Sequence, residues 1–220
     1  STLETTGLDD PLAGEEGGRT ARKRKAILEA ATTAFLRNGY LGAGMDEIAL
    51  MADVSKQTIY KQFASKELLF VEIVSGLTNT GSDAVRDAIP ELAPGGDLRA
   101  YLEDYAERQL AIVLTPRLMQ LRRVVIGEVG RFPELGKALY EGGPARAMEA
   151  MAAMFRRLAD RGLLRMNDTA VAASHFNWLV MSQPLNQAML LGDAGIPTPT
   201  ALRRHAAEAV GVFLAAYGAG

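Results

Sequence analysis

The sequence has no cysteine. That excludes disulfide staples and thiolate metal sites, and it suits a reducing compartment. Histidine is nearly missing too: His175 and His205 are the only two, and neither an H-E-x-x-H pattern nor a glycine-rich phosphate loop occurs. Nothing therefore calls for a metal, a cofactor or an enzyme's constellation of groups. No apolar run approaches the roughly 18 residues of a membrane span. Ser1–Gly18, STLETTGLDDPLAGEEGG, holds five acids, no base and no apolar stretch, so no signal peptide and a cytoplasmic location are expected. With few large apolar groups, residues 1–18 are expected to be a disordered tail. Strand-like alternation and internal repeats are also missing, which leaves an all-α fold.

What is present is an ordinary globular composition. The 220 residues are 48% hydrophobic and 23% charged, with a net charge of −2, enough for a substantial core in one large domain or two modest ones. The charge is unevenly spread. Residues 19–67 carry nine bases against five acids, while the stretch after them is nearly balanced. This basic segment is either a solvated surface or a footprint for an anionic polymer.

Helical signals fill the chain. Thr20 can cap a first helix that carries Arg22-Lys23-Arg24-Lys25 and then Ile27, Ala31, Ala34 and Phe35 on one face, with Asn38-Gly39 to end it. A second helix reads from Met45 to Ala52. Further on, Asp97 and Thr115-Pro116 open two more, the first with Leu102, Tyr105 and Gln109 inward. Pro144 to about Arg161 presents Met148, Met151, Phe155 and Leu158 on one side. Asp168 opens a helix carrying His175 to Met181, and Thr200 to Tyr217 forms the last.

The segment VSKQTIYKQFASKELLF (Val54–Phe70) has helix starts at both Ser55 and Ser65, with only about two turns between them. Val54 and Ile59 have the spacing of a hydrophobic staple around the Ser55 cap. At 100° per residue Ile59 and Phe63 share a face, while Gln57, Thr58, Tyr60 and Lys61 occupy the opposite arc. So short a helix needs a packing partner. Met45–Ala52, across a three-residue turn, supplies one. The pair makes a helix-turn-helix whose second helix suits the DNA major groove: Gln can pair with adenine edges, Lys with guanine or phosphate, and hydroxyls with phosphate oxygens.

The block GMDEIALMADVSKQTIYKQFASKELL resembles the DNA-binding domain of the tetracycline-repressor (TetR) family. That family's pattern is V-S-x-x-T-[IL]-Y-x-x-F-x-[SN]-K-E-x-L, met by Val54, Ser55, Thr58, Ile59, Tyr60, Phe63, Ser65, Lys66, Glu67 and Leu69, with Ala30, Phe35, Gly39 and Tyr40 upstream. It departs from the pattern at Gly44, where a capping hydroxyl is usual, and at Asp53, which stands for a turn glycine and tolerates a left-handed conformation. The resemblance implies a helix-turn-helix domain over 19–64 and a helical effector-binding and dimerisation domain over 65–220. It puts Ser55, Lys56, Gln57, Thr58, Tyr60 and Lys61 at a double-stranded DNA operator; Gln57, standing where the family often has a small residue, is the candidate for reading a base. Lys66 would hold a phosphate at a helix start; Gly44 and Met45 would offer backbone N–H groups; and Arg22, Arg24 and Lys25 would lie along the DNA backbone or reach toward the minor groove.

LRRVVIGEVGRFPELGKALYEGGPARAM is similar, through Arg131-Phe132-Pro133-Glu134-Leu135, to the effector domain of an AefR-like subgroup. This implies a homodimer through the last two helices, with Leu202, Ala206, Phe213, Leu214 and Tyr217 as interface anchors or as core. It also implies a small-molecule cavity, with Tyr105, Gln109, Glu128, Phe155, Asn177, Trp178 and Met181 as candidate contacts. The expected function is a ligand-released repressor. A DNA-binding regulator without a ligand is the alternative, and an enzyme is disfavoured.

Overall fold

The structure, a computed structural model, describes residues 11–87 and 89–220, with side chains from residue 17 onward. The first ten residues of the expected tail lie outside the described residues. The chain divides into two compact units that meet in sequence between Phe70 and Val71, inside a helix and six residues after the expected break at 64. The described residues contain helices and no strand; one isolated bridge joins Leu164 and Gly218.

The first unit is built from α1 (Pro11–Gly42), α2 (Met45–Met51), α3 (Lys56–Gln62) and the start of α4 (Lys66–Asp87). Helix α1 begins nine residues ahead of Thr20, so Thr20 is an exposed helical residue and caps nothing. Pro11 at the first position loses no hydrogen bond, because the N–H of that position has no helical acceptor. The helix breaks at Gly39 (φ 71°, ψ 178°), a conformation open to glycine because it has no Cβ. Ile27, Ala31, Ala34 and Phe35 are buried, as are Met45 and Ile48 of α2 and Ile59 of α3. Three rings close the core: Phe35 lies 4.4 Å from Phe70 and 5.8 Å from Tyr40, all near-parallel. Leu69 and Phe70 thus belong to the first unit's core, which is why the division falls later than the Ser65 helix start.

The second unit holds the rest of α4 with α5 (Leu98–Val113), α6 (Pro116–Glu128), α7 (Pro133–Tyr140), α8 (Arg146–Asp160), α9 (Thr169–Leu191) and α10 (Pro199–Tyr217). The expected caps form: Asp97 Oδ1 accepts from Ala100 N–H (3.2 Å), Thr115 from Leu118 (3.3 Å) and Asp168 from Ala170 (2.9 Å). Helix α10 is capped by Thr198, with Pro199 in the first turn, two residues before the expected start. Between α7 and α8 the backbone widens into a π-helical turn, Glu141–Ala145. Pro144 has no N–H for a normal α-turn, so the helix expected to begin there starts at Arg146 instead. Helix α9 contains Pro184, which leaves the Val180 carbonyl without its helical donor. His205 Nε2 of α10 sits 2.8 Å from that carbonyl and donates to it.

Phe155, Phe176 and Phe213 from α8, α9 and α10 meet at centroid distances of 4.9 to 5.5 Å. All three are fully buried. Rings in stacked and edge-on arrangements add about 0.5–1.5 kcal/mol per pair beyond area burial, so this cluster locks the three helices together.

Candidate nucleic-acid interface and effector cavity

Helix α3 is held as its sequence directs. Ser55 Oγ accepts from the Thr58 N–H (3.1 Å) and lies 2.8 Å from Thr58 Oγ1, so both hydroxyls are engaged in the cap. Asp53 takes a left-handed conformation (φ 53°) in the turn. Ile59 and Phe63 are buried, while Gln57, Tyr60 and Lys61 are exposed and line one concave surface with Thr58. Lys56 is exposed too, but its ammonium lies 2.9 Å from Asp46 of α2. The hydrogen bond to Asp46 raises the Lys56 pKa, reinforced by the attraction of that charge. At the start of α4, Ser65 Oγ accepts from Leu68 N–H (3.1 Å).

Other expected contacts have structural tasks. The Arg24 guanidinium lies 4.4 Å from the centre of the Phe63 ring and the Lys66 ammonium 4.7 Å from that of Tyr40, close enough for cation–π attraction. Lys25 sits 3.8 Å from Glu29 one turn away, and Arg22 is exposed. The Met45 side chain is buried and reaches no surface; only its backbone, next to exposed Gly44, remains for an outside partner.

The second unit holds a partly open cavity with about 80 Å³ accessible to the centres of water molecules. Five of the expected residues line it: Tyr105, Gln109, Asn177, Trp178 and Met181. Glu128 and Phe155 do not. Glu128 closes α6 away from the lining, and Phe155 is committed to the aromatic cluster. Helix α4 contributes Thr78, Ser82 and Val85, and α6 contributes Leu118, Met119 and Arg122. The sequence reading missed these. Thr78 and Ser82 lie within the polar run Thr78-Asn79-Thr80-Gly81-Ser82-Asp83, which does not mark one side of the helix, and Arg122 beside Arg123 carried no signal either.

Three observations define the cavity's polarity. Gln109 is 3% exposed and its Nε2 donates to Asn177 Oδ1 at 2.9 Å, but its Oε1 is buried with no partner. The Tyr105 hydroxyl is pushed up to about 12 by burial, with a smaller contribution from Tyr101, so it stays protonated at neutral pH. Arg122 has its pKa lowered by desolvation. On the rim, Ser82 Oγ donates to the Gly142 carbonyl at 2.8 Å and Arg146 pairs with Asp83 at 2.6 Å, tying α4 to the π-helical turn.

The expected interface anchors divide. Leu202, Ala206 and Phe213 are buried in the chain's own core, so their helical stripe faces inward and they present nothing to a second copy. Leu214 and Tyr217 are partly exposed, and Tyr217 Oη lies 2.6 Å from His175 Nδ1. The outward apolar groups of α9 and α10 are instead Val171, Trp178, Leu190, Leu191 and Val212.

The described residues thus form a helix-turn-helix unit followed by a second helical unit that holds a cavity. The family model described as bacterial regulatory proteins of the tetR family matches residues 27–73, and that of the AefR-like transcriptional repressor C-terminal domain matches 100–219. A TetR-family transcriptional regulator from Mesorhizobium loti is 38% identical, with 91% of this chain and 98% of that one covered and a TM-score of 0.84. The flavonoid-responsive regulator FrrA is 28% identical over 90% of this chain and 98% of that one, with a TM-score of 0.74. The transcriptional regulator YhgD of Bacillus subtilis is 34% identical over 49% of this chain and 59% of its own length. The chain thus spans about half the length of the curated relatives it matches. The chain belongs to the TetR family of transcriptional regulators, with an AefR-like C-terminal domain.

Proposed function

We propose that the protein is a homodimeric repressor that occupies a palindromic operator in the cytoplasm and is released when a small molecule fills the cavity of the second unit. The observation that carries the DNA reading is the outer arc of α3, where Gln57, Tyr60 and Lys61 are exposed above buried Ile59 and Phe63. Gln57 reads a base edge, while Lys61 and Lys56 meet phosphates, Lys56 by exchanging Asp46 for the DNA. Lys66 and the backbone at Gly44 add phosphate contacts. Val171, Trp178 and Val212 supply the apolar face through which two copies pair, and Leu214 and Tyr217 flank it.

Ligand response is favoured over a ligand-free regulator by the cavity itself, with its unpaired amide oxygen and mainly apolar lining. The name of FrrA, a flavonoid-responsive regulator, supports the same reading. Moving an equilibrium from 1:99 to 99:1 takes about 5.5 kcal/mol of differential affinity, within reach of a buried ligand touching several helices. Selection of bound sites from random DNA, followed by a screen for compounds that release the best one, tests the proposal. A two-fold symmetric site with half-sites about one turn apart is expected; failure to enrich any such site overturns it.

A further inference from the structure

From the charge and hydrogen-bond inventory of the cavity, we infer that the effector is a compact organic monoanion with an apolar body and a hydrogen-bond donor, held by Arg122 and Gln109. This rests on the ligand-responsive reading and specifies its chemistry. The lining contains two cations, Arg86 and Arg122, and no carboxylate. Arg86 is already engaged, 3.2 Å from Asp83 and 3.0 Å from Asp87. Arg122 is partly buried and meets no hydrogen-bonding or ionic partner among the described residues. Its neighbour Arg123 shows the contrast, pairing with Asp193 and donating to the Ala188 carbonyl at 3.0 Å.

A guanidinium is not deprotonated in a protein, and a partly desolvated one without an anion is costly. An anionic headgroup would remove that cost and gain the short, bidentate geometry that guanidinium offers to carboxylates. The buried Gln109 Oε1 sets a second requirement. It lacks a partner while Nε2 is committed to Asn177, so it needs a donor, and a ligand hydroxyl supplies one. Val113, Leu118, Met119, Leu139, Met181 and Leu185 form the apolar walls. Neutral apolar molecules would leave both polar groups unpaired, and cations would face Arg122 with like charge.

The test uses the intact dimeric chain and a matched panel. It comprises hydroxylated aromatic and branched aliphatic carboxylic acids, the corresponding phenols without a carboxyl, the primary amides of the same acids, and the corresponding amines. Binding is read by thermal shift and titration calorimetry. Binders are expected among the carboxylic acids, the one class of the four that is anionic at neutral pH, since a phenol with a pKa near about 10 stays neutral there. Arg122→Gln should weaken the best binder at least tenfold, and Arg122→Lys should lose less because the charge remains. Gln109→Leu should erase the preference for a hydroxylated acid over its deoxy analogue. Tight binding of phenols, amides or amines that is indifferent to Arg122→Gln overturns this inference and leaves ligand response standing. Absence of binding across all four classes overturns this inference, while ligand response stands or falls with the screen for compounds that release the operator.

Discussion

Replacing Gly142 with Ala should destabilise the second unit, and the size of the effect follows from one close approach. A Cβ at this position would press against Thr78 Oγ1, nearer than real Cβ atoms come, and would lie 2.9 Å from Asn79 Oδ1. Thr78 cannot swing away cheaply. It is buried, and its hydroxyl donates to the Val74 carbonyl at 2.7 Å. Gly142 cannot retreat either without stretching the 2.8 Å bond between its carbonyl and Ser82. Overpacking of this kind costs about 1–3 kcal/mol. Equilibrium urea unfolding at fixed protein concentration, followed by circular dichroism, reads the loss as a lower midpoint with an unchanged slope. Thr78→Ala removes the obstructing oxygen, so the double variant should recover about 1 kcal/mol or more relative to additivity. A loss below about 0.5 kcal/mol for Gly142→Ala, or strict additivity in the cycle, refutes the claim that this close approach fixes the π-helical turn against α4.

Ser55→Ala removes the cap of α3 and should cost about 1 kcal/mol of stability, read by urea unfolding; an unchanged midpoint would mean that packing of Ile59 alone sets the helix start. Asp46→Asn frees Lys56 and removes a negative charge beside the proposed DNA face. Operator binding should tighten, and the slope of log affinity against log salt should steepen by up to about 0.9 for each further phosphate neutralised; weaker binding would instead make Asp46 a positioning group for Lys56. Asp193 is held below its usual 3.8, first by the Gln120 hydrogen bond and then by Arg123. A carboxyl whose pKa is lower folded than unfolded stabilises above the unfolded value and loses that contribution as pH falls through the folded one. The stability gap between the parent and Asp193→Asn, measured by unfolding at stepped pH, should therefore close below about pH 4; a gap independent of pH refutes the pairing.

The helices were legible because their ends are written in local chemistry. Ser55, Ser65, Asp97, Thr115 and Asp168 each cap where the sequence placed them, and Asp53 takes the left-handed turn its side chain permits. Boundaries failed where a distant or missing partner decides. Thr20 lost its capping role because Pro11 can open the helix earlier, and Pro144 sits inside a π-helical turn because its missing N–H widens the backbone. The cavity was half legible. Gln109 stood out as a polar group on an apolar face and Asn177 as part of a helix expected to line the cavity, but periodicity cannot separate a helix's inner stripe from a surface for a second copy. Leu202, Ala206 and Phe213 show that confusion, since a stripe that packs within the chain reads the same as one that would dimerise. The solitary state of Arg122 depends on what the surrounding helices place around it, and no sequence window contains that.

Pro184 and His205 have a consequence for anyone rebuilding α9 and α10. The proline removes a main-chain donor, and the imidazole from the next helix takes its place at the Val180 carbonyl. The two residues therefore work as one unit of sequence information although twenty positions lie between them. Exchanging His205 alone strands a carbonyl, whereas restoring an N–H with Pro184→Ala makes the histidine dispensable. In chimaeras that graft one of these helices from a relative, the pair has to travel together, or the register of α10 along α9 will be set by whatever else can reach Val180.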